Sequence, residues 1–213
     1  MTFSRVSHLA LFACFMTACA SNNEEDLPPE DTNEGIITSL MLHFTPVNGG
    51  ETLSFRWTTP EDDAPVVDDI PLPDRTNHGH HDRQSYTLNV EMWNEQDTPA
   101  TDMAQVVADN GVDYQIFFTG SAVDGPATAD NSDAVIRHIY DDVDANGYPL
   151  GLNNTIDTMA WGAGELTVTL RHMPPEDDST LKAANLAEDV AENGFDAIGG
   201  ETVLQATFDI DVE

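Results

Sequence analysis

The run Glu165-Leu166-Thr167-Val168-Thr169-Leu170-Arg171-His172 sets Leu166, Val168 and Leu170 against Thr167, Thr169 and Arg171. A two-residue period puts the apolar side chains on one face of an extended segment, whereas a helix would scatter them. The chain closes on a related run, Thr202 to Val212. There Phe208, Ile210 and Val212 share a face, although the alternation around Val203 and Leu204 is less clean.

The same period recurs toward the N-terminus. From Ile36 to Phe44 the even positions Ile36, Thr38, Leu40, Leu42 and Phe44 form one face, with Met41 and His43 on the other. Leu53, Phe55 and Trp57 form the next face, and Asn48-Gly49-Gly50 between the two runs is a hairpin signal. Tyr86, Leu88, Val90 and Met92 line another, and Tyr114–Thr119 and Ala134–Tyr140 read as further strands. Two short helices are expected. One is Thr101–Asn110, with Thr101 as N-cap and Gly111 as stop; the other is Ala-rich Leu181–Glu192, ended by Asn193-Gly194. About seven or eight strands separated by Gly-, Asp- and Pro-rich turns predict an all-β chain, an antiparallel β-sandwich of immunoglobulin-like layout.

Composition narrows the surroundings. Thirty-nine Asp and Glu against seven Lys and Arg give a formal charge of −32, and Lys182 is the only lysine. Such a surface repels nucleic acid and anionic lipid, attracts cations and suits a saline medium that screens its self-repulsion. Arg5 and the short apolar run Val6–Thr17 read as an export signal, ending in Met16-Thr17-Ala18-Cys19. Residues 1–18 are read as the signal. The acidic, Pro-containing stretch 19–34 is a flexible tether, and 35–213 form a single domain. Cys14 leaves with the signal, so no disulfide is expected.

Two motifs bear on chemistry. Asp142-Val143-Asp144-Ala145-Asn146-Gly147 alternates oxygen side chains around a Gly-assisted bend, which suits calcium held by Asp142, Asp144 and Asn146, with Asp141 as a further ligand. The twelfth loop position holds Asn153 rather than Glu, so this is no EF-hand, and Asn146-Gly147 equally signals a plain hairpin turn. Asn77-His78-Gly79-His80-His81-Asp82 holds three of the seven histidines. In an extended segment His78 and His80 point the same way and suit zinc or copper, with His81, Asp82 and Asp74 to complete a shell. The same composition also suits a solvated loop. His43 and His138 read as isolated strand histidines, and Glu61-Asp62-Asp63 and Glu176-Asp177-Asp178 as solvated acid clusters. The chain has no Gly-x-Ser-x-Gly elbow, phosphate loop or His-Glu-x-x-His helix, so no enzymatic activity is expected.

Met16–Cys19 resembles the lipobox of bacterial lipoproteins, which implies cleavage before Cys19 and acylation of Cys19, with Ala20-Ser21 favouring the outer membrane. Glu34–Thr38, the Asp142–Leu152 run, Leu166–His172 ending in Leu-Arg-His, and Gly199–Thr202 together resemble a family of small Gram-negative outer-membrane lipoproteins. Some of its members bear the label type 1 periplasmic binding fold. That label describes two α/β lobes, whereas the periodicity here predicts a sandwich. The resemblance spans about Glu34 to the end. It implies a lipid-anchored protein on the periplasmic or cell-surface face of the outer membrane, working beside a TonB-dependent receptor in nutrient or metal uptake.

Overall fold

The computed structural model describes residues 36–60, 64–73, 75–77, 80–175 and 181–213, without the side chains of 75–77 and 80–82. The strands in chain order are β1 (Ser39–Pro46), β2 (Leu53–Thr58), β3 (Val66–Val67), β4 (Ile70–Leu72), β5 (Arg75–Asn77), β6 (His80–Asp82) and β7 (Ser85–Asn94). After β8 (Thr101–Asp102) comes the helix α1 (Met103–Asp109). Then follow β9 (Tyr114–Thr119), β10 (Val123–Asp124), β11 (Ile136–Tyr140), β12 (Asn153–Thr158), β13 (Gly162–His172), α2 (Leu186–Asn193) and β14 (Glu201–Val212).

The larger sheet runs β10-β11-β12-β7-β1-β2-β3, with β8 also on β7, and the smaller runs β4-β14-β13-β9. Their facing apolar rows meet in one core. Leu40, Leu42, Phe44, Tyr86, Leu88 and Met92 come from one sheet, and Ile116, Phe118, Leu166, Val168, Phe208 and Ile210 from the other. This is the predicted all-β sandwich. The long strands pair antiparallel, while the short edge strands β10 and β4 pair parallel with β11 and β14.

The irregular alternation at the C-terminus has a local cause. Leu170 pairs with Leu204 but Arg171 pairs with Thr202, so Val203 is an extra residue in a β-bulge. Beyond the bulge Leu204, Ala206, Phe208, Ile210 and Val212 all point inward.

Several boundaries differ from the sequence expectation. The first strand begins at Ser39, and Ile36 is exposed ahead of it. The β11 strand starts at Ile136 rather than Ala134. Helix α1 is capped by Asp102, whose Oδ1 accepts the Gln105 N–H at 3.0 Å, because Thr101 is held in extended pairing with Asn94. Helix α2 starts at Leu186 instead of Leu181, and Gly194 closes it at φ 76°.

The segment 181–200 lies over the outward face of β9 and β13. Leu186, Ala187, Val190 and Ile198 there bury Phe117 and Met173 in a second, smaller core. Arg171 fastens this cover. Its Nη2 donates to the carbonyls of Gly199 (2.9 Å) and Gly200 (2.8 Å), and its Nη1 to Thr202 Oγ1 (3.0 Å). No helix among the described residues is long and apolar enough to cross a membrane.

Candidate functional site

The loop between β11 and β12 carries the Asp-rich motif, and its carboxylates turn back on their own backbone. Asp142 accepts the N–H of Gly151 on Oδ1 (2.7 Å) and those of Leu152 and Asn153 on Oδ2 (both 2.9 Å). Asp144 Oδ1 accepts the N–H of Asn146 (2.7 Å) and of Tyr148 (3.0 Å), the geometry of an Asx turn. Asp141 accepts the Thr155 hydroxyl at 2.7 Å. Asn146 is exposed and contributes its backbone N–H to this network. The four residues expected to hold calcium are therefore close in the chain but face different donors.

Sequence reasoning missed the partner of Asp144. The chain's only lysine, Lys182, reaches in from the segment before α2 and stands 3.0 Å from Asp144 Oδ2. Both side chains are wholly shielded from solvent. The ammonium also donates to the carbonyls of Gly111 (2.8 Å) and Tyr114 (2.7 Å). Burial pushes the Asp144 carboxyl up, but the Tyr148 N–H, the Lys182 ammonium and the Asn146 N–H outweigh it and hold the group below its ordinary value. Burial pulls Lys182 down, against the bonds and charge of Asp144 and the charges of Asp142 and Asp113. One signal was legible: a lone lysine in a chain of this acidity is unusual enough to suggest a specific partner. Calcium entering the loop has to compete with this ammonium.

His138 is buried on β11, between the rings of Phe118 (centroids 4.3 Å apart) and Tyr140 (4.5 Å). Its Nε2 bonds Asn154 Oδ1 at 3.0 Å, and its Nδ1 has no hydrogen-bond partner. Burial lowers its pKa from 6.5 to about 4, against the opposing effects of Asn154 and Asp141. It is a neutral core residue at physiological pH. His172 stacks on Tyr114 with centroids 4.4 Å apart, and its Nδ1 lies 3.7 Å from Glu201.

On the outer face of the larger sheet, His43 lies between two polar neighbours. Its Nδ1 is 2.7 Å from Ser54 Oγ, and its Nε2 is 3.4 Å from Glu91 Oε1. Sequence reading took His43 as isolated, because Ser54 and Glu91 reach it only through strand pairing. The turn at Asn48-Gly49-Gly50 held a hint: it brings Ser54 opposite His43 in the β1–β2 hairpin.

An open groove of about 640 Å³ lies on the smaller sheet, lined by Asp69, Glu165, Asp209 and Asp211 among others. Glu165 and Asp209 are directly paired across β13 and β14, an arrangement of like charges that repels. Among the described residues no group of three or more His, Cys, Asp or Glu side chains is placed to hold a metal ion.

Other expectations fall elsewhere. Cys19, His78, Asp74 and the clusters 61–63 and 176–178 lie outside the described residues. His80, His81 and Asp82 form β6, paired with β5, and their side chains too lie outside the description. No protein-family model, curated protein or solved structure matches this chain significantly.

Proposed function

We propose that this chain is a non-enzymatic lipoprotein, anchored to the outer membrane through acylated Cys19. On this reading its β-sandwich binds divalent cations as an accessory to nutrient or metal uptake beside a TonB-dependent receptor. The observation that carries the reading is the lipobox-like Met16–Cys19 run, followed by the acidic spacer up to Glu34 and then by strand-forming sequence. Two or more acyl chains hold a protein stably where one does not, which makes this N-terminus an anchor. The formal charge of −32 and the acidic groove at Glu165 and Asp209 support cation enrichment near the surface.

The test is labelling with radioactive palmitate in a Gram-negative host, with and without Cys19→Ala. The expected result is label and outer-membrane fractionation for the parent chain and neither for the variant. Unlabelled parent protein in the soluble fraction would overturn the anchor. Crosslinking in the native membrane then checks for the receptor.

A second reading is a calcium-stiffened structural or adhesive module. The observation in its favour is the density of bonds made by Asp141, Asp142 and Asp144, which braces this loop as a structural module requires, although calcium would have to displace some of them. Calcium that raises the melting temperature, with no binding of zinc or copper, would select this reading.

A further inference from the structure

We propose that His43 and Glu91 form a site for a divalent transition-metal ion, with Ser54 orienting the imidazole. The inference deepens the cation-binding reading and rests on it.

Three adjacent strands build the site. Ser54 on β2 is the register partner of His43 on β1, and Glu91 on β7 stands opposite Met41, two residues along from His43's own partner Asn89. Pairing the ring at Nδ1 with Ser54 Oγ at 2.7 Å fixes its orientation and turns Nε2 toward Glu91. That nitrogen is shielded from solvent and has no hydrogen-bond partner. Glu91 Oε1 lies 3.4 Å away, near enough for charge to matter but not aligned as a hydrogen bond. Two ligands bound at about 2.1 Å to one tetrahedral ion stand about 3.4 Å apart.

The chemistry agrees with that spacing. With the proton on Nδ1 and donated to Ser54, Nε2 presents a lone pair to a carboxylate. Zinc or copper then takes the place that a proton on Nε2 holds in the other tautomer. A hydrogen bond from the far ring nitrogen is what fixes the tautomer of metal-bound imidazoles. The neighbouring cation is already engaged, since Arg56 Nη2 bonds Glu95 Oε1 at 2.5 Å. Glu91 is about half exposed (52%), so water can complete the coordination.

The same three residue types occur in hydrolytic triads, but that role fits less well. A triad needs a substrate cleft with N–H donors aimed at an oxyanion, and Ser54 lies on an open sheet face, outside the groove at Glu165 and Asp209.

Zinc chloride titrated calorimetrically into the full chain in detergent, at neutral pH, tests the proposal. The parent and the variants His43→Ala, Glu91→Gln, Ser54→Ala and a triple His78/His80/His81→Ala are compared, each checked for an unchanged melting curve. The expected result is binding that weakens at least tenfold in His43→Ala and Glu91→Gln, and about tenfold in Ser54→Ala. Where a variant fails to fold, zinc-dependent shifts of the His43 ring nitrogens in the parent give the same answer by NMR. Zinc binding that survives in His43→Ala and Glu91→Gln but is lost in the triple variant overturns this site and leaves the cation-binding reading standing. A parent chain that binds no zinc overturns this site, and one that also binds no calcium in a parallel titration overturns the cation-binding reading with it.

Discussion

Lys182 Nζ stands 3.0 Å from Asp144 Oδ2, and neither side chain is reached by solvent. Two buried charges cost several kcal/mol each to desolvate, so a pair of this kind persists only with further hydrogen bonds around it. Here those bonds come from the N–H groups of Asn146 and Tyr148 on one side and the carbonyls of Gly111 and Tyr114 on the other. The pair thereby ties together three segments distant in sequence: the turn at 111–114, the loop at 142–147 and the cover beginning at 181.

Removing one partner should hurt more than removing both. Lys182→Met leaves the Asp144 carboxylate and two carbonyls without their donor, at a cost of about 3–5 kcal/mol. Adding Asp144→Asn should recover part of that loss. Urea unfolding of the two single variants and the double variant measures the coupling, and additive losses would contradict it.

Acid should destabilise the domain in a predictable window. His138 titrates at about 4 in the folded chain against 6.5 when free, so the unfolded chain binds the extra proton first. The sign follows: stability is full above pH 6.5 and falls as the pH drops toward 4, by about 3 kcal/mol from this residue alone. Asp144, held below its ordinary value, adds a further loss at lower pH still. In His138→Phe the loss between pH 6.5 and 4 should largely disappear from the unfolding profile.

The cover over β9 and β13 should loosen locally when its clasp is cut. Arg171→Met strips the donor from the buried Ile198 carbonyl, a loss of about 1–3 kcal/mol, and from the more exposed carbonyls of Gly199 and Gly200, which water can partly satisfy. Hydrogen exchange should rise through α2 and the 195–198 turn while the β1–β7 pairing stays protected. Equal acceleration in both places would mean that the cover does not open as a unit.

Gly200 sits at φ +80°, and a Cβ there would lie 2.2 Å from the His172 carbonyl oxygen. Gly200→Ala should therefore destabilise by more than about 1 kcal/mol, through both strain and displacement of the β13–β14 pairing. Gly147→Ala meets no atom within 4 Å and is the matched control, carrying backbone strain at φ +82° alone. Thermal melts of the two variants separate the terms.

The strands were legible wherever one face is dry and the other wet. The runs in β1, β7 and β13 announce themselves because each burial step removes apolar surface on every second residue. β12, Asn-Asn-Thr-Ile-Asp-Thr, escaped notice because Asn154 and Thr158 fill its inward positions with polar groups. Those groups bond His138 and Gln84 inside the sheet. The short edge strands β3, β4 and β10 also passed unseen, having too few residues to display a period.

Periodicity, turn residues and charge balance are local properties, so the sequence by itself determined the class of fold, the main strands and the acidity of the surface. Partnership is not local. The pairing of Lys182 with Asp144 and of His43 with Ser54 and Glu91 depends on strand order and on where the 181–200 segment folds back. Side chains far apart in the chain meet only once the register of neighbouring strands is fixed and a shared core has excluded the water between them. For that reason only the tertiary structure decided that Asp144 faces an ammonium, and that His43 faces a carboxylate.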